Sequence, residues 1–548
     1  MRAKWVPLSF AALLAILPAC TSSNDTDGKS SASVSPSAGD AAAGPYGKYN
    51  QTISMQIAKT ASSQNTNMPA GDTPDDNEFY RYLGKRLNVK VTNAWRTETQ
   101  DAYNQKLSVS MASRDLPDAF VVNETQLKQL VQAGSIADLT DAYKNYASPL
   151  YKSYYESYGD RLLKHATFNG KLMALSSTNI GGQFDCVWIR QDWLDKLGLQ
   201  PPKSLDDLIK IAQAFVNNDP DGNGKKDTYG FTGLPSIYGQ VPFTFDPILG
   251  SLHAYEGQWL TDASGKVTFG SIMPEMKTAL AKLHDLYEAG LIDQEFAVRK
   301  DPKQLVASGQ LGIVFGPWYT PNGNLRDSVK NDPKAEWKPY LAPLDDQGKF
   351  NVYDQNPNGN YLVVRKDYPH PEAVVKVENV EIDGIRQVDQ EAGNVYKGLG
   401  VLWSYWPFSI QVDSEDTVYK THMELKNAIE AKDPSKLNDE HKQWYDAYSK
   451  DQANPKKDPV AWALALSRMA GADLLGANQI AMHRNAFFGI TPTMQTKWEN
   501  LRKLENETFL KIIMGQSPVD SFDNFVTQWK QLGGDQITKE VQETLSQK

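Results

Sequence analysis

The chain has 548 residues, 40% of them hydrophobic and 22% charged, which calls for at least two domains and excludes both a multi-span membrane protein and a wholly disordered chain. Its 57 Lys and Arg against 66 Asp and Glu leave a formal charge of −9, so a nucleic-acid partner is not expected. Trp and Tyr, at 13 and 25, outnumber the 19 Phe two to one, the balance that a surface both stacking and hydrogen-bonding would need.

Arg2 and Lys4 precede an apolar run from Trp5 to Leu17 that closes on Leu17-Pro18-Ala19-Cys20. A basic start, a short apolar stretch and a small residue before the cut make residues 1–19 a secretory signal, too short for a comfortable membrane span. With cysteine at the cut, the segment resembles a bacterial lipoprotein signal, which implies that Cys20 is diacylated, palmitate being one such chain, and becomes the mature N-terminus. Loss of Arg2 and Lys4 takes the formal charge from −9 to −11. Ser, Ala, Gly and Asp dominate residues 20–47, a disordered tether with a mean span of roughly 25–30 Å. No later stretch holds 18 apolar residues in a row, so the expected place is the extracellular face of the cytoplasmic membrane, held by lipid alone. Cys186, flanked by Val187 and Trp188, reads as a buried inert thiol.

From residue 48 the pattern is mixed α/β. Ile53, Met55 and Ile57 alternate as in a strand; Phe79, Leu83 and Leu87 follow at helical spacing; Val89 and Val91 alternate again. Leu107 and Met111 sit in a helix-compatible stretch before the apolar strand Ala119-Phe120-Val121-Val122. Ser204 and Asp207 form a capping box ahead of Leu208, Ala212 and Phe215. Pro274 opens a helix that Gly290 stops, 311–315 reads as a buried strand, and Ser517 with Asp520 is expected to cap the helix carrying Phe522, Val526 and Trp529.

Several of these segments are recognisable together: Asn169-Gly170-Lys171-Leu172-Met173-Ala174-Leu175, then Trp188-Ile189-Arg190-Gln191-Asp192-Trp193-Leu194 and Pro202-Lys203-Ser204, with Ala112-Ser113-Arg114-Asp115-Leu116-Pro117-Asp118, Gly290-Leu291-Ile292-Asp293 and the tail Lys511-Ile512-Ile513-Met514-Gly515. In order and spacing they resemble family 1 extracellular solute-binding proteins of ABC importers, in particular the long lipoprotein branch of Gram-positive bacteria. The resemblance implies an α/β, two-lobe, periplasmic-binding-protein-like fold of type II, with crossings near 173, 360 and 490. Lobe one is then 48–172 plus 361–490 and lobe two 173–360 plus 491–548. It also implies a monomer that captures a carbohydrate, expected to be an oligosaccharide, in the interlobe cleft and delivers it to ABC transporter permease subunits.

The sharpest local signal is Asp219-Pro220-Asp221-Gly222-Asn223-Gly224-Lys225-Lys226-Asp227-Thr228. Oxygen side chains at alternate positions with glycine sixth are how an EF-hand-like loop wraps Ca²⁺: Asp219, Asp221, Asn223 and Asp227 by side chains, Lys225 by its carbonyl. No Glu stands twelfth, and Thr228 takes the place where similar loops in the family have an acid; the alternative is a metal-free Gly/Asp turn. For the ligand, Trp318-Tyr319 follows the 311–315 strand, where the resemblance places a sugar-stacking Trp. Trp403 and Trp406, with Tyr405, make a second aromatic cluster that is either ligand wall or core. Asn123, after the 119–122 strand, lies where relatives contact ligand, and Arg190 is a candidate for a carboxylate or hydroxyl. Trp188, Trp193 and Trp529 lie on apolar faces and read as core.

Enzyme signatures are missing from the sequence: no G-x-S-x-G, H-E-x-x-H, Walker loop or G-x-G-x-x-G occurs, and the seven His are scattered singly. A binding protein is therefore expected, not an enzyme. The alternatives are an envelope glycosidase or polysaccharide lyase, and a ligand-sensing receptor with the same fold.

Overall fold

Ile53, Met55 and Ile57 all face inward from strand Ile53–Thr60, with exposed residues between them, as the alternation predicts. The structure, a computed structural model, describes residues 43–62, 68–396 and 406–546. The signal segment, Cys20 and the tether as far as residue 42 lie outside the described residues, as do Trp403 and Tyr405.

Strand Ile53–Thr60 pairs in parallel with Val89–Thr97 on one side and with Ala119–Val122 on the other. Asn358–Val364 joins antiparallel to Ala119–Val122, and Leu175–Thr178 completes this five-stranded sheet. Helix Glu78–Leu87 starts where Asn77 accepts from the backbone N–H groups of Phe79 and Tyr80, and stops at Asn88 in the left-handed region. Phe79, Leu83 and Leu87 are buried from it, each side chain worth about 1.5–3 kcal/mol in transfer free energy. Tyr49, Tyr103, Tyr151, Tyr155, Tyr361 and Tyr368 complete the first core, and Tyr103 and Tyr368 donate from within it to the carbonyls of Val121 and Ser54.

The second core surrounds an antiparallel three-stranded sheet with Cys186–Arg190 between Ile313–Gly316 and Trp337–Tyr340. Helix Leu205–Asn217 has its capping box on Ser204 and Asp207, and helix Pro274–Glu288 ends at Gly290, whose φ of 69° no branched residue would favour. Trp188, Trp193 and Trp529 are fully buried, as expected, and so is the Cys186 thiol. The last cap differs from expectation: helix Ser521–Trp529 makes no side-chain cap bond, because Asp520 has a helical and not an extended backbone, and its carboxylate pairs with Lys277 at 2.8 Å.

The chain leaves the five-stranded sheet after Thr178 and enters the three-stranded one at Cys186; it returns between strand Phe350–Tyr353 and Asn358. Leu175 belongs to the first core, and helices Thr417–Ala431 and Pro459–Leu466 each send a large apolar side chain toward the three-stranded sheet and the segment after it. Val418 meets Trp318, and Trp462 meets the Trp188 and Trp337 cluster, because these helices bury their few large apolar side chains there.

Candidate ligand-binding cleft

Three cavities lie where the chain passes between the two cores. The first, about 600 Å³, opens at the strand ends and is lined by Thr60, Asn123, Thr178, Asn179, Asn360 and Gln411. A second, about 260 Å³, is lined by Arg161, Asn179, Ile180, Asp354, Glu415 and Arg484. The third, about 440 Å³, is lined by Ile180, Trp318, Arg386, Gln411, Trp444 and Arg468. Asn179 is shared by the first two, Ile180 by the last two and Gln411 by the first and third, so the three cavities adjoin one another. Concave space walled by aromatics and a few fixed polar groups is the usual form of a small-molecule site.

Local structure positions each wall. Asn123 ends the Ala119–Val122 strand and caps helix Glu124–Gln132, its Oδ1 accepting from the N–H of Gln126 at 2.9 Å. Asn179 donates to the carbonyls of Asn356 and Asn358, tying two inter-core passages together. The third cavity holds a continuous stack. His441 lies on Trp444 with centroids 5.1 Å apart, the Arg468 guanidinium stands 3.6 Å from the Trp444 centroid and 4.5 Å from that of Trp318, and Tyr319 meets Trp318 edge-on at 5.5 Å. Arg468 is carried by the π-helical turn Ser467–Gly471, a type of bulge that often marks functional positions.

Charge in the second cavity is knotted. Arg161 bonds Glu415 at 2.5 Å and reaches Asp354 at 3.7 Å, while Arg484 approaches Asp354 at 3.3 Å and Glu415 at 3.6 Å. Burial pushes the Asp354 and Asp413 carboxyls up from the usual range, partly opposed by Arg484 and Arg386 respectively. Burial also brings Arg468 down to about 10, which leaves it a cation at neutral pH.

Of the expected ligand residues, Asn123 and Trp318 line the cleft, and Tyr319 supports Trp318 from the side. Arg190 lines none of the three cavities: its guanidinium is spent on Asp192, at 2.8 and 2.6 Å, and on Asp332 at 3.0 Å, and it packs over Trp193. Trp406 is a core residue, fully buried and stacked on Phe79 at 4.5 Å. Trp444, Arg468 and Asn179 had no sequence signal beyond residue type; the one hint is a lone Trp in the polar helix Asp439–Ala453, which buries little besides Ala447.

In the expected calcium loop, Gly224 N–H donates to Asp219 and Asn223 N–H reaches both Asp219 and Asp221, so the backbone wraps around these carboxylates. The Asn223 amide lies between Asp221, at 2.6 Å, and Asp227, at 3.1 Å. The Asp221 contact pushes the Asp219 carboxyl down, while burial and then the Asp219 contact push that of Asp221 up; a cation would relieve that conflict, so the donor set fits Ca²⁺. Among the described residues, however, no three acidic, His or Cys side chains already surround one point. Thr228 is turned away, its hydroxyl donating to the Phe215 carbonyl at 2.7 Å.

Residues 70–377, more than half of the chain, match the bacterial extracellular solute-binding protein family, and the chain belongs to it. Lipoprotein LipO of Bacillus subtilis (strain 168) is 28% identical over 318 residues, 57% of this chain and only 56% of LipO. The polygalacturonan/rhamnogalacturonan-binding protein YtcQ of the same organism is 24% identical over 484 residues, 86% of this chain and 89% of YtcQ. The structure of an EF-hand mutant of the Streptococcus pneumoniae ABC-transporter substrate-binding protein FusA, in complex with fructo-nystose, superposes with a TM-score of 0.57 at 18% identity, over 90% of this chain and 99% of that one. The fold is thus the two-lobe type II periplasmic-binding-protein-like fold. Among the described residues, no helix is long and apolar enough to cross a membrane.

Proposed function

We propose that this protein captures an oligosaccharide in the cleft and delivers it to the permease subunits of an ABC importer, without altering it. The observation that carries the reading is the set of adjoining cavities where the chain passes between the two cores, one lined by amide-bearing strand ends and another by the Trp318 stack. The amides of Asn123, Asn179 and Gln411 suit the hydroxyls of a sugar, and the rim of the Trp318 stack gives its apolar face a wall. YtcQ carries sugar polymers in its name and the FusA structure is a complex with fructo-nystose, which supports a carbohydrate over a peptide. Closure of one lobe on the other would hold the sugar, a hinge motion. Acylation at Cys20 would tether the monomer to the outer face of the cytoplasmic membrane, with Ca²⁺ bound at the 219–227 loop as a structural ion.

Scanning fluorimetry of the mature protein against fructan-, glucan- and pectin-derived oligosaccharides tests this. A thermal shift with one class, and the sugar recovered intact, is expected. Cleaved sugar, or no shift with any class, overturns it.

A further inference from the structure

The stack in the third cavity leaves a charge unanswered. Four basic side chains line that cavity. Arg386 pairs with Asp413 at 2.7 Å, Lys420 with Asp416 at 2.8 Å, and His441 with Glu424 at 2.9 Å. The Arg468 guanidinium, pressed between two indoles, has no ion pair and no hydrogen bond with any described residue. Asp413 and Glu440 act on it electrostatically without entering pairing range. On the same wall the Trp318 indole N–H is buried and likewise has no acceptor among the described residues. The buried, unmet Trp318 donor costs about 1–3 kcal/mol, whereas the half-buried Arg468 keeps its N–H groups open toward the cavity.

We propose that Arg468, with Trp318 beside it, reads a carboxylate on the captured sugar, so that the preferred ligand is an acidic oligosaccharide containing a uronic acid. The proposal rests on the oligosaccharide-capture reading above. A guanidinium offers a planar fork that matches a carboxylate with two parallel N–H···O bonds, and here its carbon lies over both the Trp318 and Trp444 rings while its N–H groups have no partner among the described residues. A neutral hydroxyl would fill one donor and leave the charge without a counter-ion in a desolvated site. The indole faces fix the fork before ligand arrives, which lowers the ordering cost of binding.

Isothermal titration of the mature protein with trigalacturonate and with its carboxyl-reduced, neutral counterpart tests this. The acidic trisaccharide is expected to bind at least about tenfold more tightly, a difference of about 1.4 kcal/mol, and its affinity to fall with added salt. Arg468→Gln is expected to abolish that preference, so that the acidic and the neutral trisaccharide bind this variant within about threefold of each other. Arg468→Lys, which keeps the charge and loses the fork, serves if the glutamine variant does not fold, and is expected to lose most of the preference. Equal binding of both trisaccharides, or a preference that survives the substitution, overturns the acidic reading while oligosaccharide capture stands. Failure of both trisaccharides together with every neutral oligosaccharide overturns capture itself, and the acidic reading with it.

Discussion

The backbone carbonyl of Trp318 comes so near the α-carbon of Gly471 that a β-carbon there would stand 2.3 Å from the oxygen. Only glycine lets the Ser467–Gly471 turn approach this closely, and that turn carries Arg468 onto the Trp318 ring. Gly471→Ala must push the two segments apart. We expect a loss of about 1–3 kcal/mol in urea unfolding and weaker sugar binding by titration calorimetry, since the stack opens from its centre. Unchanged stability and affinity would show that the turn has room to move.

Trp318 and Trp406 should separate cleanly on substitution. Trp318 packs with Val418 and Ala472 and faces the cleft, so Trp318→Ala is expected to raise the Kd for a bound oligosaccharide at least about tenfold while the fold survives. Trp406 is fully buried on Phe79 and its carbonyl holds Lys59, so Trp406→Ala should cost about 3–5 kcal/mol of stability. Denaturant melts and calorimetry on both variants decide the assignment. An affinity loss confined to the Trp406 variant would reverse it.

The contrast shows what was legible in sequence. Alternation at Ile53, Met55 and Ile57, the capping box at Ser204 and the burial of Trp188, Trp193 and Trp529 all follow from period and cap chemistry, which are local. Trp406 and Arg190 could not be placed that way, because whether an aromatic or a cation faces core, neighbour or solvent depends on what arrives from far along the chain. Asp332, 142 residues away, completes the set that occupies Arg190. The Tyr excess was likewise ambiguous: much of it fills the first core, with hydroxyls bonded to strand carbonyls. Arg468 was invisible for the same reason, since its partners Trp318 and Trp444 are 150 and 24 positions away.

The 219–227 loop yields a prediction about metal. With Asp219 and Asp221 in conflict and Asn223 between Asp221 and Asp227, added Ca²⁺ should raise the melting temperature and a chelator should lower it. Asp219→Ala removes the carboxylate about which the turn winds, and is expected to abolish the calcium response while sugar affinity changes little. Elemental analysis of protein purified without chelator should find close to one calcium per chain. A melting temperature indifferent to both additions, with no calcium found, would leave the loop as a plain turn.

Asp185 makes the clearest pH prediction. It is buried beside Asp246, and the Thr244 hydroxyl touches both, at 2.7 and 2.6 Å. One hydroxyl hydrogen cannot serve two carboxylates, so a proton must sit on one acid and donate back to Thr244. Burial, then the Asp246 charge, pushes Asp185 well above the usual carboxylate range, and its other oxygen has no partner among the described residues. A carboxyl whose folded-state pKa is raised contributes stability in full below its unfolded value near 3.8, and loses it as pH rises toward the folded value. Asp185→Asn donates to Thr244 at every pH, and Thr244 can then serve Asp246. The variant is therefore expected to match the parent near pH 4 and to gain about 1–3 kcal/mol on it by pH 8, read from urea melts across that range. A variant less stable than the parent at pH 8 would mean that Asp185 is ionised in the folded protein, and that its charge is answered by a partner other than Thr244.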